Sequence, residues 1–446
     1  MIEVDAALQT LHVEARFAQP VGRIRARAPD AGTYLTGASD CMDDVELVSR
    51  GRRIDVPAGG IRCLDYVVDL AAAAAAERRN ATLADDNAVL SPAVWLWRPP
   101  LGPETSLEAR FRLPDGIAVS LPWQPVRGEA DTYMLRNSPR NAPALAAFGR
   151  LDTARVDVGG ASLRIAVMRE PGAKPARPLV GWLKDAAANV TLAYGRFPSP
   201  DPHVIVIPVG AGGRGSDGPV PFGRVVRDGG ESIEFYVDET RDIAEFYGDW
   251  TATHEFSHLM LPFVPRDDRW VSEGFAQYHQ NVLLARAGRY DERLAWQKLY
   301  EGFERGRLSR PELSPNEAAG EGVGAATMKI YWSGAVLALM ADVDLRRRSD
   351  GRESLDVVLD QLQRCCLPSQ RRWTAPELLG KLDSLAGSDV FMPLYLRYAD
   401  ESGFPDVRPL LESLGVRIED GGVTLDDDAP LAAIRRAITA NPSGLY

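Results

Sequence analysis

The 446-residue sequence lacks any apolar run long enough to cross a bilayer; in its first half the longest, Leu70 with the six alanines Ala71–Ala76, stops at Glu77. It also lacks a basic stripe. Apart from short runs such as Arg346-Arg347-Arg348, lysine and arginine are dispersed, and the net charge is −11, which argues against a nucleic-acid partner. The N-terminal MIEVDAALQT has neither a basic n-region nor an apolar h-region, so the chain as given is expected in the cytoplasm. Cysteine is scarce, four in all, with no C-x-x-C spacing, which argues against a second metal site on thiols. Cys41 and Cys63 lie in one strand-rich region and could pair, which would imply an oxidising compartment; Cys365 and Cys366 are adjacent, where an ordinary disulfide is strained. Hydrophobic residues at 45% and charged residues at 25% are ordinary for a globular protein, and the length predicts two or three domains.

Histidine is nearly as scarce, with five residues, yet two of them fall in His254-Glu255-Phe256-Ser257-His258, an H-E-x-x-H pattern. On a helix, residues i and i+4 share a face, so both imidazoles aim at one point. Gly248 and Asp249 mark the helix start, and Pro262 its end. A second amphipathic run, Trp270 to Ala287 with Gly288 as its C-cap, carries Glu273. Two His and a carboxylate make the three-ligand shell of a catalytic zinc, His254, His258 and Glu273, with a fourth position left for water. Glu255 is placed to take that water's proton and return it to a leaving amine.

HEFSH followed by Trp270-Val271-Ser272-Glu273-Gly274-Phe275-Ala276 resembles the gluzincin metallopeptidases, in which the third ligand is the Glu of a W-x-x-E-G-F-like segment. The sequence is most similar to the glycyl-aminopeptidase family, and more distantly to the aminopeptidase N family. LLARAG at 283–288, Tyr331-Trp332-Ser333-Gly334-Ala335, Asp344-Leu345-Arg346 and Ser354-Leu355-Asp356 carry the rest of the likeness, which covers about residues 160–365. It implies one zinc ion, a peptide or protein substrate, and Tyr331 as the hydrogen-bond donor to the oxyanion. It also implies many exported relatives, so a trimmed signal peptide and a periplasmic or secreted protein are expected alongside the cytoplasmic reading. The sequence departs from the pattern in a short spacing, with 14 residues between His258 and Glu273, in Ser333 where a Lys is usual, and in the lack of a PDZ module at the end. The aminopeptidase N family has a G-A-M-E-N motif whose Glu binds the substrate amine; here Asp228-Gly229-Gly230-Glu231 stands instead, a poor match in which Glu231 is a candidate and a solvated turn the blander reading.

Elsewhere, Leu11–Phe17, Leu107–Leu113 and Ile117–Leu121 alternate as strands, with Trp95, Trp97 and Trp123 as packing residues and His12 as a surface residue. Val204–Val209 reads as a buried strand. Gly210-Ala211-Gly212-Gly213-Arg214-Gly215 fits G-x-G-x-x-G, but Ser216–Pro221 cannot open the helix a dinucleotide site needs, so it is a loop. Ser232–Val237 is expected as the sheet edge over the site, able to bind an extended peptide by strand addition. Gln277, one turn after Glu273, is expected to orient a ligand His, and His279 to lie off that face. Arg305, Arg307 and Glu312 fall in a connection over 304–325, bordering the cleft. Ser354-Leu355-Asp356, Thr374-Ala375-Pro376-Glu377, and Ser388 or Asp389 start helices; a hairpin about Asp420-Gly421 and a last helix from about Pro430 to Thr439 follow.

The expected architecture is therefore α+β: an N-terminal β-sandwich or saddle domain (1–160), a thermolysin-like zincin catalytic domain (161–365) and a mostly helical C-terminal part (366–446). The expected function is zinc-dependent peptide hydrolysis, in one form an aminopeptidase. The rivals are a zinc hydrolase of a non-peptide substrate on the same fold and a catalytically silent zinc-bearing binding protein.

Overall fold

In a computed structural model, which describes residues 1–76, 82–84, 87–102, 104–137, 143–169, 176–215, 217–322, 324 and 326–442, the chain is α+β: strands dominate up to Val237, and helices follow, apart from one late hairpin. The N-terminal strands form an eight-stranded sheet built around Thr10–Val21, which pairs with Ile2–Val4 on one side and Ile61–Asp69 on the other. The alternation in the sequence sets its faces: Leu11 and Val13 are buried, and His12 faces the other way beside Asp65 at 2.7 Å. Trp95, Trp97 and Trp123 are buried, with Trp95 6.0 Å from Trp123 and 5.9 Å from Phe148. Cys41 and Cys63 are joined at a Cα separation of 5.2 Å, and Cys365 is joined to Cys366.

A five-stranded sheet positions the site. Its order is Leu151–Val158, Ala161–Met168, His203–Pro208, Glu231–Val237, Phe222–Arg227, parallel in the middle and antiparallel at both ends. Val204, Val206, Ile233 and Phe235 face the helices, while Ile205, Ile207 and Tyr236 pack on Val89, Leu145 and Ala147 of the N-terminal part. Covering both faces requires the unbroken apolar run at 204–207. The boundary expected at 160 falls inside the hairpin of the first two strands, so residues 151–158 belong to this sheet. The strand expected at the edge is internal. Glu231–Val237 is buried on both faces and pairs on both sides, whereas Phe222–Arg227, with Gly223, Arg224 and Arg227, has the character of an edge and occupies it.

The C-terminal helices share one core with the sheet: Leu378, Phe391 and Ile438 belong to the same cluster as Phe256 and Ile330. Ser354 caps Leu355–Cys366, and Thr374 with Glu377 forms a capping box on Ala375–Ala386. Neither Ser388 nor Asp389 caps Phe391–Tyr398. The carboxylate of Asp383, from the preceding helix, accepts the Val390, Phe391 and Met392 N–H groups at 2.7, 2.7 and 2.8 Å. Arg305 and Arg307 lie on the helix Glu292–Leu308 instead of in a connection, over the Trp332 ring and bonded to Glu304 respectively. Glu312 is bonded to Arg310. Among the described residues no helix is long and apolar enough to cross a membrane.

The helices Arg269–Arg286 and Thr327–Arg348 cross with their backbones in contact. A Cβ added at Gly274 would sit 2.1 Å from Gly334 Cα, and one added at Gly334 would sit 2.0 Å from the Trp270 carbonyl oxygen. Both atoms are rigid backbone, so the helices touch only because both positions are glycine. Gly274→Ala and Gly334→Ala are each expected to lower stability by about 1–3 kcal/mol or more, the usual range for overpacking, despite the higher helix propensity of Ala. Urea denaturation of each variant measures this.

Candidate metal centre

The motif helix spans Thr251–Ser257, with the Asp249 carboxylate accepting the Thr251 N–H at 2.7 Å near its start. The α-helix closes before the second His: His258–Met260 is a 3₁₀ turn, and the chain is extended from Leu261. Arg227 Nη2 donates to the carbonyls of His258 and Leu261 at 3.1 and 3.0 Å, tying down the end of the turn. The two rings still converge, with centroids 4.9 Å apart.

Glu273 comes from the helix Arg269–Arg286 and Tyr331 from Thr327–Arg348. Glu273 adjoins Gly274, and Tyr331 lies three residues before Gly334, so the glycine crossing brings both to the His pair. Glu273 Oε2 lies 3.5 Å from His254 Nε2 and 3.3 Å from His258 Nε2. One donor atom from each of the three residues falls within 4.8 Å of the others. The Tyr331 ring stacks on His254 at 5.6 Å, and its hydroxyl lies against the Glu273 carboxylate.

The opposite ring nitrogens are occupied. His254 Nδ1 donates to Gln280 Oε1, and His258 Nδ1 to Ser272 Oγ, both at 3.2 Å, in the tautomer that leaves each Nε2 lone pair facing Glu273. His254 Nε2 and Glu273 Oε2 are buried without a hydrogen-bond partner. Buried polar atoms are rarely left so, and these are ligand-type atoms aimed at one point. The donor set of two imidazoles and a carboxylate fits a divalent cation of the zinc kind.

Gln277 makes neither contact with the rings. The two helices run in opposite senses, so the earlier His254 meets the later Gln280, seven residues and two turns beyond Glu273 on the same stripe; one turn on was one turn short. His279 is turned away: its Nδ1 bonds the Phe275 carbonyl at 2.8 Å and its Nε2 lies 3.4 Å from Asp356.

Glu255 lies under the edge strand. A Cβ at Gly223 would meet Glu255 Cγ at 2.7 Å, so glycine there lets the strand press on the carboxylate, which takes a hydrogen bond from the Val225 N–H. Burial pushes the Glu255 carboxyl up to about 7, with His254 opposing and Glu273 adding to it. Burial also pushes Glu273 up, but His258 and then His254 overcome it and hold that carboxyl well below the usual range. Burial, then Glu273 and Glu255, push Tyr331 well above its ordinary value, so its hydroxyl keeps its proton. Trp250 stands edge-on to His254 at 5.5 Å and is 45% exposed.

Glu231 is not among these residues. Its carboxylate lies 3.3 Å from Arg227, and Asp228 pairs with Arg27. The Asp228–Glu231 turn is packed instead of solvated: a Cβ at Gly230 would meet the Pro122 carbonyl at 2.0 Å. Gly213–Gly215 is a short 3₁₀ turn, and Arg214 lies over Phe222 and Tyr236; Ser216 lies outside the described residues.

No protein-family model matches the sequence, and no curated protein matches it. Solved structures do. An aminopeptidase N family protein from Idiomarina loihiensis superposes with a TM-score of 0.68 at 14% identity, over 94% of this chain and 78% of that one. An M1 zinc metallopeptidase mutant from Deinococcus radiodurans, bound to a Tyr-Ser-Ala substrate, superposes with a TM-score of 0.52 at 14% identity, over 91% of this chain and 93% of that one. Of the two likenesses seen in the motifs, these neighbours bear on the second, and the chain shares the fold of the aminopeptidase N family protein and the M1 zinc metallopeptidase.

Proposed function

We propose that this protein is a zinc-dependent metallopeptidase. The observation that carries the reading is the pair of buried, unpartnered atoms His254 Nε2 and Glu273 Oε2 beside His258, on a fold that the neighbours use for peptide hydrolysis. The reading takes the chain as a β domain, a thermolysin-like zincin unit and a helical C-terminal part. The first boundary is drawn back from 160 to before Leu151 to keep the hairpin whole.

His254, His258 and Glu273 would hold one zinc ion. Bound there, zinc supplies a Lewis acid that lowers the pKa of water and polarises a carbonyl. Glu255 acts as the base that takes the water proton and the acid that delivers it to the leaving amine. Tyr331 donates its O–H to the developing oxyanion. The edge strand Phe222–Arg227 offers backbone groups to an extended peptide, in keeping with the tripeptide bound to the Deinococcus radiodurans neighbour. Removal of N-terminal residues is one form of the reaction, in keeping with the aminopeptidase N family neighbour; with Glu231 engaged by Arg227, the substrate amine would then need another partner. The Cys41–Cys63 bond fits an oxidising compartment, periplasmic or extracellular.

Mass spectrometry of a mixed peptide library incubated with zinc-loaded protein is the test. Cleavage is expected from the wild type and is expected to fall by about 10²–10⁴-fold in Glu255→Gln with zinc retained. Equal cleavage by both, or by neither, contradicts the reading, and the products separate terminal from internal cuts. Tyr331→Phe is expected to lower kcat by about 10²–10³-fold with little change in KM, measured on a cleaved peptide. Ser272→Ala and Gln280→Ala are each expected to weaken zinc binding by about 10–100-fold, read by competition with a chromogenic chelator, with the folded circular-dichroism spectrum kept.

A further inference from the structure

On the N-terminal part, a cavity of about 570 Å³ is lined by Arg25, Arg27, Arg52, Arg98, Asn137 and Arg372 together with apolar neighbours, and among the described residues no lining side chain is acidic. This is unusual in a chain with 62 acidic residues against 51 basic ones. The sequence builds it from a short alternation, Arg23-Ile24-Arg25-Ala26-Arg27-Ala28, whose apolar members Ile24, Ala26 and Ala28 are buried. The sheet then places like charges side by side. Arg25 lies directly opposite Arg98, in a bridge closed by two backbone hydrogen bonds of 3.1 and 3.2 Å, and opposite Arg53 on its other side. Like charges facing each other across a ladder are destabilising, and nothing in the backbone pairing demands arginine. Arg27 is fixed by Asp228, and Arg98 Nη1 by the Pro99 carbonyl at 3.1 Å, so two of the guanidinium groups are held in place. Arg372 enters from the far side of the chain and also lies over the Phe263 ring, just beyond the motif helix.

We propose that this cavity binds a small multivalent oxyanion, a ligand with two or more phosphate or carboxylate groups. Planar guanidinium groups pair with such oxygens in bidentate fashion, the volume suits a small molecule, and the anion would relieve the repulsion between Arg25 and its neighbours. The site is separate from the His254–Glu273 centre and shares no lining residue with it.

The test is isothermal titration calorimetry of the full chain with inorganic tripolyphosphate and, in a second arm, citrate, at low ionic strength. Saturable one-to-one binding is expected. The tighter of the two probes assigns phosphate or carboxylate chemistry. Arg25→Gln and Arg52→Gln are each expected to weaken binding by about tenfold or more, while Arg127→Gln, an exposed arginine outside the cavity, leaves it unchanged. Two variants are used so that failure of one to fold leaves the other to decide. Without anion, Arg25→Gln is expected to raise Tm by about 1–3 °C, the opposite sign from its effect on binding. No saturable binding of either probe, an equal loss in Arg127→Gln, or a fall in the anion-free Tm with affinity unchanged overturns the proposal in favour of a solvated charge cluster.

Discussion

The contact of Gly274 with Gly334 is the constraint on which the centre depends. A helix pair normally runs 8–10 Å apart, held off by side chains. Here two glycines remove that spacer, and the backbones meet. Glu273 and Tyr331, each within one turn of the contact, are delivered to the same point from different helices. A methyl group at either glycine would move a donor atom away from the other two, so packing and chemistry share one position. Ser333, where a lysine is usual in the resembled pattern, adjoins Gly334, is buried, and has an unpartnered hydroxyl, and nothing in the structure explains the exchange.

Around that crossing the fold supplies orientation and seclusion. Ser272 and Gln280 fix the far nitrogens of the two rings, so the near ones are aimed without any bond to each other. The edge strand, thinned at Gly223, closes over Glu255 and removes it from water. Buried atoms left unpaired cost about 1–3 kcal/mol each, so the arrangement is unfavourable until a cation satisfies it. Cation binding and folding are then linked, and the site's stability is carried by the large shared core beneath it.

What was legible in the sequence was local. His254 and His258 are four apart across one helix and the 3₁₀ turn that ends it, and Glu273 lies in the first turns of the next long helix; a periodicity argument reaches both. The alternating strands, the buried run at 204–207, the capping box at Thr374 and the packing role of the tryptophans are local in the same sense. What was not legible depends on partners far along the chain. Which of two hairpin strands lies at the edge is decided by pairing with His203–Pro208. Gln280 instead of Gln277 follows from the opposed sense of two helices. Asp383 instead of Ser388 or Asp389 caps a helix from the one before it, and Arg227, which takes up Glu231, is also tied to the end of the motif. The arginine row has a visible alternation at 23–28, but Arg98 and Arg372 join it only in three dimensions.

The account stands on one claim, that His254, His258 and Glu273 together hold a single zinc ion. Anomalous diffraction from crystals of the purified protein, recorded on either side of the zinc absorption edge, tests it most directly. The account predicts one strong peak, present only above the edge, within bonding distance of both Nε2 atoms and the Glu273 carboxylate. No peak there in zinc-soaked crystals, with the three side chains placed as described, would contradict it.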